Sequence, residues 1–197
     1  MGVDCERLRT RVADELGRTW NASYPSGRQP DEGTELASLL INWPELATYT
    51  QMRLQSVSSL VRLVSDACHK NGAKFDLSAA VWGRPSSLNW LEGVDISKSI
   101  VSSDRFLLES YYESSLDVAR EIDHTLALQN VIEEPKGEIA VALTLWQSHH
   151  RNYNGFAEKI DTIKSAGIHT LVLYNYGTAT TETLQWVKKA AKMMDET

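Results

Sequence analysis

The chain has little of what the more recognisable chemistries need. It carries two cysteines, Cys5 and Cys68, far apart and in no metal-ligand spacing, so neither a disulfide framework nor a zinc site is expected. No apolar run approaches the roughly 20 residues that span a bilayer, so no membrane partner is expected. The stretch Met1–Thr10 is polar and charged, unlike the apolar centre of a secretory leader, and localisation stays open. Basic residues are outnumbered, 20 Lys and Arg against 26 Asp and Glu, for a formal net charge of -6. Nucleic-acid binding needs a basic face to displace counterions, so no such partner is expected. The small cluster Lys188, Lys189 and Lys192 suits the C-terminal end of a helix. No G-x-S-x-G, P-loop or dinucleotide fingerprint occurs, which leaves serine-hydrolase and phosphate-cradle chemistry unsupported and no cofactor expected.

What is there is alternation. The 197 residues, 42% hydrophobic and 23% charged, suit an ordinary globular domain with or without an appendage. Residues 4–20 have a helical period with Gly17 as a stop, and 21–33 are a Ser, Pro, Gly and Asp loop. A short helical piece follows around Leu36, Leu39 and Leu40. Pro44 suits a helix first turn. A long helix from Glu45 to Lys70 carries Val57, Leu60, Val61, Val64 and Ala67 on one face, expected to pack on a sheet, and Asn71-Gly72 ends it. Cys68, on that face, reads as a small core residue. Four strand-like runs then appear, Phe75–Trp82, Arg105–Tyr112, Ile139–Trp146 and Thr170–Tyr176. Amphipathic stretches follow them, marked by Leu116, Ala119, Ile122 and Leu126, then Phe156, Ile160 and Ile163, then Leu184, Val187, Ala191 and Met194. The fold expected is α/β, parallel strands with crossover helices covering both sheet faces. The division expected is an N-terminal helical segment and loop over 1–43 and the strand–helix units over 44–197.

Three passages carry a resemblance: TYTQMRLQSVSSLVRLV with Arg53 near a helix start, DRFLLESYY, and SAGIHTLVLYNYG followed by LQWVKKA. They resemble the second half of glycoside-hydrolase-like (β/α)8 barrels, similar to the loosely defined bacterial barrel hydrolases of the family 10-like and family 42-like kind. VDCERLRTRVADELG resembles the helix after their fourth strand. The resemblance implies a (β/α)4 half-barrel, a partial TIM barrel, with an N-terminal helical extension. It implies a carbohydrate partner, and either a missing N-terminal barrel half or a homodimer, since open sheet edges invite pairing. The rival reading is a non-catalytic ligand-binding or self-assembling half-barrel. In these families one carboxylate lies at the end of strand seven; the matching run here, Leu143–Gln147, holds none.

In parallel α/β folds ligands sit at the C-terminal strand ends. Glu109, on the Leu107 and Tyr111 face of its strand, is the candidate catalytic carboxylate. The alternative is a buried structural Glu paired with Arg84 or a tyrosine hydroxyl. Trp82, Tyr111, Tyr112, Trp146, Tyr174 and Tyr176 gather at strand ends, suited to stacking on sugar rings or to plugging the core. Arg84, Gln147 and Asn175 complete the substrate-binding candidates; Arg84 can hold an anion or pair with Glu109, and Asn175 can reach a ligand or bond its own turn. His149-His150 reads as a solvated loop pair or as an acid/base or metal group.

Overall fold

The computed structural model describes residues 3–20, 39–79, 89–90, 93–133, 137–150 and 152–195. Among them α1 spans Cys5–Trp20, α2 Pro44–Lys70, β1 Asp76–Ala79, α3 Ile96–Val101, β2 Arg105–Glu109, α4 Ser115–Asn130, β3 Glu138–Thr144, α5 Tyr153–Ser165, β4 Leu171–Tyr174 and α6 Thr181–Asp195. The chain divides into two compact units, 1–56 and 57–197. In the first, Glu45 at the start of α2 takes ion pairs from Arg7 at 3.0 Å and Arg11 at 3.4 Å. The expected stop at Gly17 is not used, since α1 continues to Trp20. A glycine inside a helix costs only about 1 kcal/mol and does not by itself end one. Arg53 lies well inside α2 rather than at its opening, its guanidinium 5.8 Å from the Tyr49 ring centroid.

The second unit is α/β. Its four strands are all parallel, in the order β1-β2-β3-β4. Sequential order distinguishes this from a doubly wound sheet, whose order reverses at a switch point. Each crossover leads to the next strand over, so the same right-handed connection repeats and the helices fall on one side. The result is a (β/α)4 arrangement, a half-barrel.

Side-chain alternation fixes which side. Phe106, Leu108, Ile139, Val141 and Leu143 point to the helices and pack with Ile100, Val118, Ile122, Phe156, Ile160, Ile163 and Trp186 in one core. Burying each of these large side chains contributes about 1.5–3 kcal/mol. Phe156, Ile160 and Ile163 are fully buried, as their spacing predicts. The register places Asp76, Arg105 and Glu138 in one row of the opposite face, with Ser78, Leu107 and Ala140 in the next. Arg105 bridges its row, 3.1 Å from Asp76 and 3.4 Å from Glu138. Glu138 also accepts a hydrogen bond from Thr170, and these donors hold its carboxyl below the ordinary carboxylate range.

Local chemistry ends the elements where expected. Gly72 takes a positive φ of 71° just past α2, a conformation glycine alone adopts freely. Gly137 is required for a different reason: a Cβ there would lie 2.2 Å from the Ser103 carbonyl oxygen. Asp104, ahead of β2, accepts from the Phe75 amide at 2.7 Å and from His69 at 2.8 Å, tying the start of β1 to the start of β2.

Four expectations fail here. The α2 stripe does not bury as a whole against a sheet: Val57 and Val61 are half-buried, but Leu60 is 59% exposed, Val64 40%, and Ala67 is exposed. Among the described residues of β1, Leu77 is the one that packs against the core. Cys68 is likewise only half-buried, in an open groove of about 470 Å³ lined by Leu63, Val64, Ala67, Asn71 and Ala73. Leu116 is 57% exposed, because it sits in the first turn of α4 while Val118 and Ile122 take the core positions. Finally, both faces are covered only at β3; Asp76 and Ser78 of edge strand β1 are exposed.

Candidate functional site at the C-terminal strand ends

Parallel strands bring their C-terminal ends to one rim. There the loop after β2 delivers Tyr111 to the face of Glu109 and Tyr112 to the opposite one, as a period of two requires. Tyr112 packs beside the helical core and its hydroxyl donates to Glu121 of α4 at 3.2 Å. Tyr112 therefore leaves the cluster expected of it. Burial first, and then the Glu121 charge, hold its hydroxyl protonated.

Glu109 is half-buried and accepts from the Ser78 hydroxyl of β1. Burial first, and then the nearby Glu109 charge, push the Tyr111 pKa up, so the phenol keeps its proton. Of the alternatives for Glu109, a tyrosine hydroxyl is present, while Arg84 lies outside the described residues, as does Trp82. Across the sheet Tyr111 stacks on Tyr174 at the end of β4, centroids 6.0 Å apart and planes at 22°. Trp146 meets Tyr174 edge-on at 6.4 Å and His149 at 5.3 Å, and its indole N–H donates to Thr178 Oγ1 at 2.8 Å. Tyr174 is 46% exposed. Glu109, Tyr111, Tyr174, Trp146 and His149 thus form one continuous chain of contacts along the rim.

The remaining candidates fall differently. Tyr176 is 79% exposed in the short 3-10 turn Tyr176–Thr178 beyond the rim. Asn175, joined to Tyr174 by a cis peptide bond, uses its side chain to accept from the Gly177 amide at 2.7 Å and so caps its own turn. Gln147 opens the 3-10 turn Gln147–His149.

The histidine pair is not a solvated loop. His149 is half-buried, with Nδ1 3.0 Å from Thr144 Oγ1, and burial together with the nearby Lys159 charge lowers its pKa. His150 is 2% exposed, between the edges of Phe156 and Trp186 at 5.0 and 6.2 Å. Its Nε2 lies 2.6 Å from the Thr144 carbonyl oxygen, which only accepts, so Nε2 carries the proton. Burial lowers the His150 pKa to about 4. The aromatic core pulls the ring inward, which its place after QS in a polar run does not announce.

A residue that sequence reasoning passed over completes this end. Lys159 of α5 has no exposed surface. Its ammonium lies 2.5 Å from the Tyr112 carbonyl oxygen, 2.5 Å from that of His149 and 3.2 Å from His150 Nδ1. The signal was present: Lys159 stands three residues after Phe156 and one before Ile160, on the apolar stripe itself. Desolvation lowers its pKa to about 8, opposed by the Glu113 charge.

Among the described residues no group of three or more His, Cys, Asp or Glu is placed to hold a metal ion, and no helix is long and apolar enough to cross a membrane. Compared with known proteins, the chain matches no family model, no curated protein and no solved structure.

Proposed function

We infer that this protein is a carbohydrate-active, glycoside-hydrolase-like half-barrel that binds a saccharide along the rim formed by Glu109, Tyr111, Trp146 and Tyr174. The observation that carries the reading is the contact chain itself, a carboxylate beside three aromatic side chains on one face and at one end of a parallel sheet. Pyranose rings present apolar C–H faces that stack on aromatic rings, while their hydroxyls donate to a carboxylate at the border. The acceptor Glu109 is already held by the Ser78 hydroxyl, so it meets a ligand hydroxyl in a fixed orientation.

Hydrolysis takes two carboxylates, about 5 Å apart for retention and further apart when a water must fit between them. Glu109 supplies one. The end of β3, Leu143–Gln147, supplies none, so the reading assigns binding to this half and a second acid to the other half of a barrel. The test is calorimetric titration with cellohexaose and a panel of other oligosaccharides. Glu109→Gln and Tyr174→Ala are each expected to weaken binding about tenfold, the effect of about 1.4 kcal/mol, with the thermal midpoint unchanged. Absence of binding tighter than about 1 mM across the panel, or variants that bind as the parent does, overturns the reading.

A further inference from the structure

Lys159 belongs to none of the roles above, yet it is the most completely enclosed charged group among the described residues. Its three N–H donors have three acceptors: the Tyr112 carbonyl in the loop after β2, and the His149 carbonyl and His150 Nδ1 in the loop after β3. His150 is oriented to receive it, because its other nitrogen is committed to the Thr144 carbonyl. One residue on each side of these acceptors belongs to the rim: Tyr111 precedes Tyr112, and His149 packs on Trp146.

We propose that Lys159 is a positioning residue, a buried latch that holds the loops after β2 and β3 in fixed register and thereby orients Tyr111 and Trp146 at the rim. It touches no ligand; it acts through two backbone carbonyls. The groups facing it are the carbonyls of Tyr112 and His149, the His150 ring, the Glu113 carboxylate and, one shell out, His149 and the Tyr112–Glu121 pair. Phe156 and Trp186 close the pocket around His150 without adding charge. A neutral amine keeps two donors for three acceptors and loses the charge that strengthens every bond it makes, so deprotonation weakens both carbonyl contacts without breaking the helix that carries it.

The experiment follows the carbonyl carbon-13 resonances of Tyr112 and His149, which report accepted hydrogen bonds, together with the Tyr111 ring and Trp146 indole signals. In the wild-type chain both carbonyls are expected to move with a common midpoint near pH 8, where Lys159 loses its proton. In Lys159→Met, a substitution of similar length without donors, they are expected to be displaced at every pH, with the Tyr111 and Trp146 signals shifted. Carbonyls unmoved by pH in the wild-type chain overturn the latch even if the variant does not fold. Rim signals unchanged in a folded variant overturn it as well. Cellohexaose binding is a separate arm that rests on the saccharide reading; there Lys159→Met is expected to weaken affinity about tenfold through lost preorganisation. Failure of the wild-type chain to bind any sugar sinks that reading alone, whereas equal binding by both chains sinks the latch.

Discussion

Phe156 has no exposed surface and sets its ring against both His150 and Trp186, at 5.0 and 5.6 Å between centroids. Removing it takes away its contacts with His150 and Trp186 and leaves a void that surrounding side chains fill only in part. Phe156→Ala is therefore expected to cost about 3–5 kcal/mol, read as a lower midpoint in equilibrium urea unfolding. At this scale the sequence is legible when chemistry and period agree. Glu109 and Tyr111 fall two apart along the run that ends β2, and the charge of one raises the pKa of the other. It misleads when a residue's type outvotes its position. Lys159 and His150 look like solvent groups, and the structure buries both because each satisfies the other. A pairing nine residues apart, across a loop and a helix turn, is not written in either residue alone.

Among elements, the interior strand and the edges obey different rules. Ala140, Ala142 and Thr144 of β3 are at most 1% exposed on the side away from the helices. They are small and lie between larger neighbours, Leu107 and Glu109 on β2 and Val172 and Tyr174 on β4. On α2 the opposite holds. Its apolar period is as clear as that of α5, yet Leu60, Leu63 and Val64 face solvent. Period reveals a stripe and is silent about whether anything wide enough lies beneath it. Leu63→Lys is accordingly expected to change stability by no more than about 0.5 kcal/mol, as for other exposed sites. Leu108→Lys, placed in the core at 1% exposure, should prevent cooperative folding. Circular dichroism melts of the two variants separate these outcomes; a collapse of the Leu63 variant would mean that α2 is seated more deeply than its exposure indicates.

For the molecule as a whole, ionisation sets a direction for stability with pH. His150 titrates near 6.5 when unfolded and near 4 when folded, because burial disfavours its charged form. A pKa depressed by folding contributes stability above the unfolded value, and that contribution is lost as pH falls through the folded one. The loss between pH 6.5 and 4 is about 3 kcal/mol, with His149 acting in the same sense. Lys159, lowered to about 8, follows the same sign: the native state sheds its proton first, so stability rises from about pH 8 towards 10. Above that Tyr111 and Tyr112, whose pKa values folding raises, reverse the trend. Urea midpoints measured across pH 4–10 should climb in two steps, and Lys159→Met should keep the first and lose the second. A midpoint flat from pH 4 to 7 contradicts the burial of His150. The parallel α/β plan was legible in the alternation of runs, because strand and helix periods differ so sharply. What was not legible is where the inner strands end: β2 stops at Glu109 and β3 at Thr144, before the aromatic tips that the apolar runs include.

The strictly consecutive sheet order carries one more implication. Each strand pairs only with the strand made just before it and the one made just after. Among the described strands no pairing waits for a distant segment, so loop-closure entropy is met in small instalments rather than all at once. A chain leaving the ribosome can add one strand–helix unit at a time, and every partial product already owns the surface on which the next unit docks.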